Sequence, residues 1–294
     1  MKKFFFAATA ALCISVFAMS CTSRAAATTE DTNISMTDKN TPDTASAKIE
    51  VATTAGNFTI LLYGDTPKHR DNFLKLVKEG YYNNTLFHRV IKEFMIQAGD
   101  PDSRNAAPGQ RLGSGGPDYK IDAEIVYPKH FHKRGALAAA RQGDMVNPMK
   151  QSSGSQFYIV TGRRISESEL NQMSKSLQNK NMQKIFNDLA IQHRDSIQAM
   201  QKRGDRQGLM ALQDSLIRQT EEIAAKQPAP EISEEMRQAY ANVGGAPHLD
   251  GDYTVFGEVI SGMDVVDAIE KAETDGADRP TKDIRIISMK VLSE

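Results

Sequence analysis

Phe87-His88-Arg89-Val90-Ile91, followed after Lys92-Glu93 by Phe94-Met95-Ile96-Gln97-Ala98-Gly99-Asp100, sets one guanidinium and one carboxamide among large apolar side chains. Residues two apart share a face of a strand. Arg89 is therefore expected on a face with Phe87 and Ile91, and His88 and Val90 on the other. On the next strand Met95 and Gln97 share a face, with Phe94 at its start. An apolar floor carrying one Arg and one Gln suits a pocket for an apolar group that makes a single polar contact. The same spacing also suits a surface Arg on an amphipathic strand, and these residues alone leave both readings open.

The elements that must position this segment are mostly strands. Ile49–Thr53 and Asn57–Leu62 alternate around a turn at Ala55-Gly56-Asn57. Asp65-Thr66-Pro67 opens a helix with Phe73, Leu74, Leu76 and Val77 on its apolar face, and Gly80 stops it. Strands are expected at 86–91, 94–98, 135–139, 156–160, 254–259 and 284–291, with a helix over 262–271. Residues 100–117, rich in Gly, Pro, Ser and Asn, form a long loop.

The texture differs from 163 to 240, where 12 Lys+Arg, 11 Asp+Glu and 11 Gln surround narrow apolar stripes. Ser166-Glu167-Ser168-Glu169 fits a capping box, and Leu170, Met173 and Leu177 follow at helical spacing. A second helical stretch carries Leu209, Leu212, Leu216 and Ile223, and a third begins near Ser233. We expect a helical hairpin standing on the β-rich body without sharing its core. Met173, Met182 and Met200 in this stretch are read as packing.

Composition narrows the class of function. The chain has 294 residues, with 40% hydrophobic and 25% charged, which excludes a polytopic membrane protein and a wholly disordered chain. Lys+Arg number 36 against 37 Asp+Glu, so no basic excess speaks for nucleic acid as a partner. Met1-Lys2-Lys3 and the apolar run Phe4–Met19 read as a signal peptide over 1–20. Ala18-Met19-Ser20-Cys21 resembles the cleavage box of bacterial lipoproteins, which implies lipidation of Cys21 and a flexible tether over 21–47. The implied location is the bacterial cell envelope, at the outer membrane facing the periplasm, with membrane contact through the lipid alone. Gly113-x-Gly115-Gly116 lacks the Lys-Ser/Thr ending of a phosphate loop, and His130 and His132 read as surface histidines rather than a metal pair.

Phe87 to Asp100 resembles the signature of cyclophilin-type peptidyl-prolyl isomerases, and four further blocks follow in that family's order. They are Gly113–Glu124, Gly135–Arg141, Ser153–Ile159 and Leu249–Gly257. The resemblance spans 48–162 and 241–294, leaving 163–240 as a helical insertion. It implies a mainly β fold, a closed eight-stranded antiparallel barrel capped by two helices. It implies that Arg89 is the catalytic donor, oriented by Gln97, and that Phe94, Met95, Tyr158 and Leu249 form a proline pocket with Tyr253 beside them. Gln156, Ala140 and Arg141 would line the groove and bind the substrate backbone. The partners implied are proline-containing polypeptides, and neither cofactor nor metal is needed. Tyr158 stands where Phe is commoner, Arg141 where Asn is, Tyr253 where many members have His, and Lys92-Glu93 where Pro-Gly is common. His248 stands where some members have a Trp that aids cyclosporin binding, so weak cyclosporin binding is expected. A second reading makes the groove a binding module for proline segments and the insert a chaperone arm.

Overall fold

The computed structural model describes residues 45–227 and 231–294. The signal peptide, Cys21 and nearly all of the tether lie outside the described residues. In chain order the elements are β1 (Ala47–Thr53), β2 (Gly56–Leu62), α1 (Pro67–Lys78), β3 (Arg89–Ile91) and β4 (Met95–Ala98). Then come β5 (Lys120–Ile121), β6 (Ala136–Ala139), β7 (Ser152–Ser153) and β8 (Phe157–Val160). Four helices follow: α2 (Glu167–Gln192), α3 (Arg194–Arg203), α4 (Arg206–Ala225) and α5 (Glu234–Asn242). The chain closes with β9 (Val255–Ser261), α6 (Met263–Glu270) and β10 (Ile286–Ser293).

Eight strands form one antiparallel sheet in the order β10-β1-β2-β9-β6-β8-β4-β3. The expected closed barrel is met only in part. The sheet curls, but β10 and β3 remain its two end strands with no ladder between them. The segment before β3 meets the start of β10 through a bridge between Leu86 and Arg285 and through backbone hydrogen bonds from Asn84 to Ile286, Ile286 to Thr85 and Phe87 to Ile284. The physical reason is that β3 starts only at Arg89, beyond this contact, and its three residues pair with β4 alone.

Burial follows a period of two with both faces occupied. Leu137, Ala139, Phe157 and Ile159 join Ile49, Ile60 and Phe73 in the main core. Their alternates Ala136, Ala138, Tyr158 and Val160 form a second cluster with Met95 and Val255 on the opposite face. Strands buried on both faces read as continuous apolar runs, as Phe157–Val160 does. α1 supplies Phe73, Leu74, Leu76 and Val77 to the main core, and α6 supplies Val266 and Ile269. Thr66 precedes α1 but makes no side-chain cap. The first-turn amides of Lys68 and His69 instead donate to Glu124 Oε1 and Oε2, each at 3.0 Å. The β3–β4 turn holds Glu93 at φ 59°, a left-handed conformation that glycine adopts more cheaply.

The capping box of α2 forms in both directions between Ser166 and Glu169. The insertion is less detached than its polar surface suggests. Leu170 of α2 and Met236 and Tyr240 of α5 pack with Phe131 of the body in a third cluster. Tyr240 is fully buried, with its ring 5.5 Å from that of Phe131. Among the described residues, no helix is long and apolar enough to cross a membrane.

Candidate active site

β3 and β4 pair in a register that sets Arg89 opposite Gln97 and Ile91 opposite Met95. This places the guanidinium, the carboxamide and the Met95 thioether on one side of the sheet, over the second cluster. A cavity of about 640 Å³ opens there. Phe94, Met95, Tyr158, Leu249 and Tyr253 give it an apolar floor and walls. Arg89, Gln97, Ala140 and Arg141 line the same cavity. Gln156 lies in an adjoining cavity of about 540 Å³, which shares Gln97, Ala140 and Arg141 with the first.

The polar groups of the site have defined partners within the protein. Gln97 donates through Nε2 to Gln156 Oε1 at 3.1 Å, and Gln156 Nε2 donates to the Gly115 carbonyl at 2.7 Å. Gln97 thus props the groove wall, while the charged partner of Arg89 is Asp278, with Nε to Oδ2 at 3.4 Å. Both side chains of that pair are almost half exposed, at 43% and 46%. Arg141 donates to the Asp252 carbonyl at 2.8 Å and to Asp144 Oδ1 at 2.6 Å, and it lies 4.3 Å from the centre of the Tyr253 ring. Ala140 also has its main-chain groups engaged, donating to Gln156 O at 3.0 Å and accepting from Ser153 N at 2.8 Å.

The expected alternation fails just before β3. Phe87 turns into the main core, and buried His88 lines the cavity instead. The strand begins only at Arg89, so the period of two does not reach back that far. Among the described residues, neither ring nitrogen of His88 has a hydrogen-bond partner. Burial pushes its pKa down to about 4, so a neutral imidazole faces the cavity at ordinary pH.

The groove wall is pinned by a buried carboxylate. Asp100 accepts from Gly113 N at 2.5 Å, Gly115 N at 3.3 Å and Asp102 N at 2.9 Å. Gly99 allows this turn at φ 92°, where a Cβ would stand 2.3 Å from the Ser155 carbonyl oxygen.

Behind the apolar wall runs a chain of hydrogen bonds. The Tyr158 hydroxyl meets His132 Nε2 at 3.0 Å, and His132 Nδ1 meets Asp250 Oδ1 at 2.9 Å. Tyr240 donates to Asp250 Oδ2 at 2.5 Å. His132 is therefore not a surface histidine: it is 1% exposed. His130 stacks on Tyr63 and bonds Asp65 at 2.7 Å. Burial raises the Tyr158 pKa well above the ordinary phenol range, which keeps the hydroxyl protonated. The sequence reading missed His88, Asp278, His132 and Asp250. Only the Phe-His-Arg triplet offered a local signal for any of them.

A family model described as cyclophilin type peptidyl-prolyl cis-trans isomerase/CLD matches residues 48–177 and 173–291. A Staphylococcus saprophyticus chain assigned to the peptidyl-prolyl cis-trans isomerases is 29% identical over 248 residues, covering 83% of this chain and 91% of that one. A Streptococcus pyogenes chain assigned as a bifunctional phosphatase/peptidyl-prolyl cis-trans isomerase is 30% identical over 83% of this chain, which spans only 38% of its length. Among solved structures, a cyclophilin type peptidyl-prolyl cis-trans isomerase of Cryptosporidium parvum is similar at TM-score 0.49 and 22% identity. That match covers 85% of this chain and 99% of that one.

Proposed function

The chain belongs to the cyclophilin-type peptidyl-prolyl cis-trans isomerases, and from that premise we propose that its substrates are X–Pro bonds of polypeptides folding in a bacterial cell envelope. The observation that carries the reading of the site is the placement of Arg89 at the rim of a cavity floored by Phe94, Met95 and Leu249.

Rotating an X–Pro bond requires breaking amide resonance, against a barrier of about 18–20 kcal/mol. No covalent bond is made or cleaved, so the protein needs neither nucleophile nor general acid. In the twisted amide the prolyl nitrogen regains its lone pair and accepts a hydrogen bond. Arg89 is suited to donate it, because a guanidinium stays charged and does not give up its proton. A hydrogen bond to a charged group is worth roughly 1.5–3 kcal/mol net, or about one to two decades of rate. The apolar floor adds to this by disfavouring the charge-separated planar amide, and it holds the ring while the acyl side turns. Gln97 and Gln156 hold the groove wall against which the acyl side moves.

The sequence of the first 21 residues supports attachment through a lipid on Cys21, and the anchor is proposed at the outer membrane facing the periplasm. Mass spectrometry of the mature N-terminus tests it, and an unmodified Cys21 would exclude it. For the isomerase reading, turnover of a short X–Pro peptide is measured directly. Arg89→Ala is expected to lower kcat/KM by about 10- to 100-fold. Undiminished turnover in that variant would remove Arg89 from the chemistry.

A further inference from the structure

Beside the proline pocket lies a second cavity of about 560 Å³, belonging partly to the insertion. α2 and α5 form one wall, and the other is built from Glu93, Phe94, Pro247 and His248. Its floor is apolar: Ile165, Met173, Leu177, Ile232 and Met236 pack together there. Met173 and Leu177 are four residues apart on α2 and so present one face. The charged rim is balanced. Arg163 and Glu169 pair with each other and Asp250 is bonded to His132 and Tyr240, which leaves Lys180 and Glu93 as one charge of each sign at the rim. Such a lining does not select a phosphate, a nucleic acid or a strongly charged peptide. It suits a large uncharged apolar side chain.

The two cavities are neighbours that share one wall residue. Phe94 lines both of them, and its ring lies 5.1 Å from that of His248, which directly precedes Leu249. Phe94 and His248 thus form a low ridge between proline pocket and insert. At its other end the proline pocket opens toward Gln156 through Gln97, Ala140 and Arg141. A polypeptide with its proline against Phe94 and Leu249 leaves the pocket by these two exits, one on each side of the proline.

We propose that the second cavity is a subsite of the isomerase. It takes a Leu-, Met- or Phe-sized side chain of the client, a few residues from the proline on the side that crosses the Phe94–His248 ridge. The proposal rests on the prolyl-isomerase reading and adds a sequence preference supplied by the insertion.

The test is a panel of proline peptides in which each of the four positions on either side of the proline is Ala or Leu. Turnover of any peptide upholds the isomerase reading on its own, and its complete absence sinks that reading first. The subsite predicts that Leu raises kcat/KM about tenfold over Ala on one side of the proline only, as burial of a leucine side chain would. Ser176→Trp, at an exposed position on α2 that lines the cavity, fills the space. It should bring the Leu-to-Ala ratio close to one. The ratio is taken within each protein, so a general loss of activity does not mimic the result. A flat panel in the unaltered protein, or a preference that survives Ser176→Trp, overturns the proposal. So does a flat panel that sharpens on dilution, which would place a second copy in the cavity. Inhibition of the Leu peptide by a synthetic peptide of residues 22–44 would place that segment there, with the same consequence.

Discussion

The phenolic hydroxyl of Tyr158 stands 3.0 Å from Nε2 of His132, so a wall of the proline pocket is bonded to a buried histidine. Through Asp250 that histidine is joined to Tyr240 of α5. Tyr158→Phe keeps the ring but strands one imidazole nitrogen, and should cost about 1–3 kcal/mol of stability. Asp250→Ala should cost more, because it strands both His132 and Tyr240. Urea midpoints measure these losses. The double variant Tyr158→Phe with Tyr240→Phe should depart from additivity if the chain acts as one network, and additive losses would mean that its two ends are independent.

Arg89 is held by an exposed carboxylate. A pair with this much solvent contact is worth no more than about 1 kcal/mol. Asp278→Asn should therefore change kcat/KM by less than about fivefold. Arg89→Lys keeps the charge but loses the planar fork, and should cost about tenfold. Isomerisation rates of one X–Pro peptide across the three proteins check this order. A larger effect from Asp278 than from Arg89 would reverse the assignment.

His88 ties stability to pH. Its folded pKa is about 4, below the ordinary histidine value of 6.5. Between these values the unfolded chain takes up a proton that the folded chain refuses. Stability should therefore be unaffected by His88 above about pH 6.5 and fall as the pH drops toward 4, by at most about 1.4 kcal/mol per unit. His88→Gln should flatten this part of the profile. Denaturant melts at pH 7, 6, 5 and 4 supply the comparison, and parallel profiles for both proteins would refute it.

His248 sits on the ridge at the edge of the proline pocket, with its ring 5.1 Å from Phe94. The family resemblance places a Trp at this position in cyclosporin-sensitive members. The chain should bind cyclosporin weakly, and His248→Trp should tighten binding several-fold, as inhibition of turnover would reveal. Equal inhibition of both proteins would show that the ring at this position is not the determinant.

Much of the site was legible because its residues lie on short, regular strands. That Met95 and Gln97 share a face follows from strand geometry alone, whereas Tyr158 was placed by the family resemblance. The Ser166–Glu169 capping box is a local pattern and was equally readable. What escaped depends on contacts between distant residues. Glu124 caps a helix 55 residues before it, and Asp250 meets a histidine 118 residues away. No window of sequence contains both partners. Phe87 and His88 exchanged places because alternation holds only inside a strand, and β3 starts two residues after Phe87.

β6 and β8 are four residues long, and each sends two side chains into the main core and two into the second cluster, from which Tyr158 reaches the pocket. Every pocket residue on them is thus one peptide bond from an interior one. A substitution that reshapes the slot there also disturbs the interior, whereas the inserted helices can vary their outward faces without that penalty.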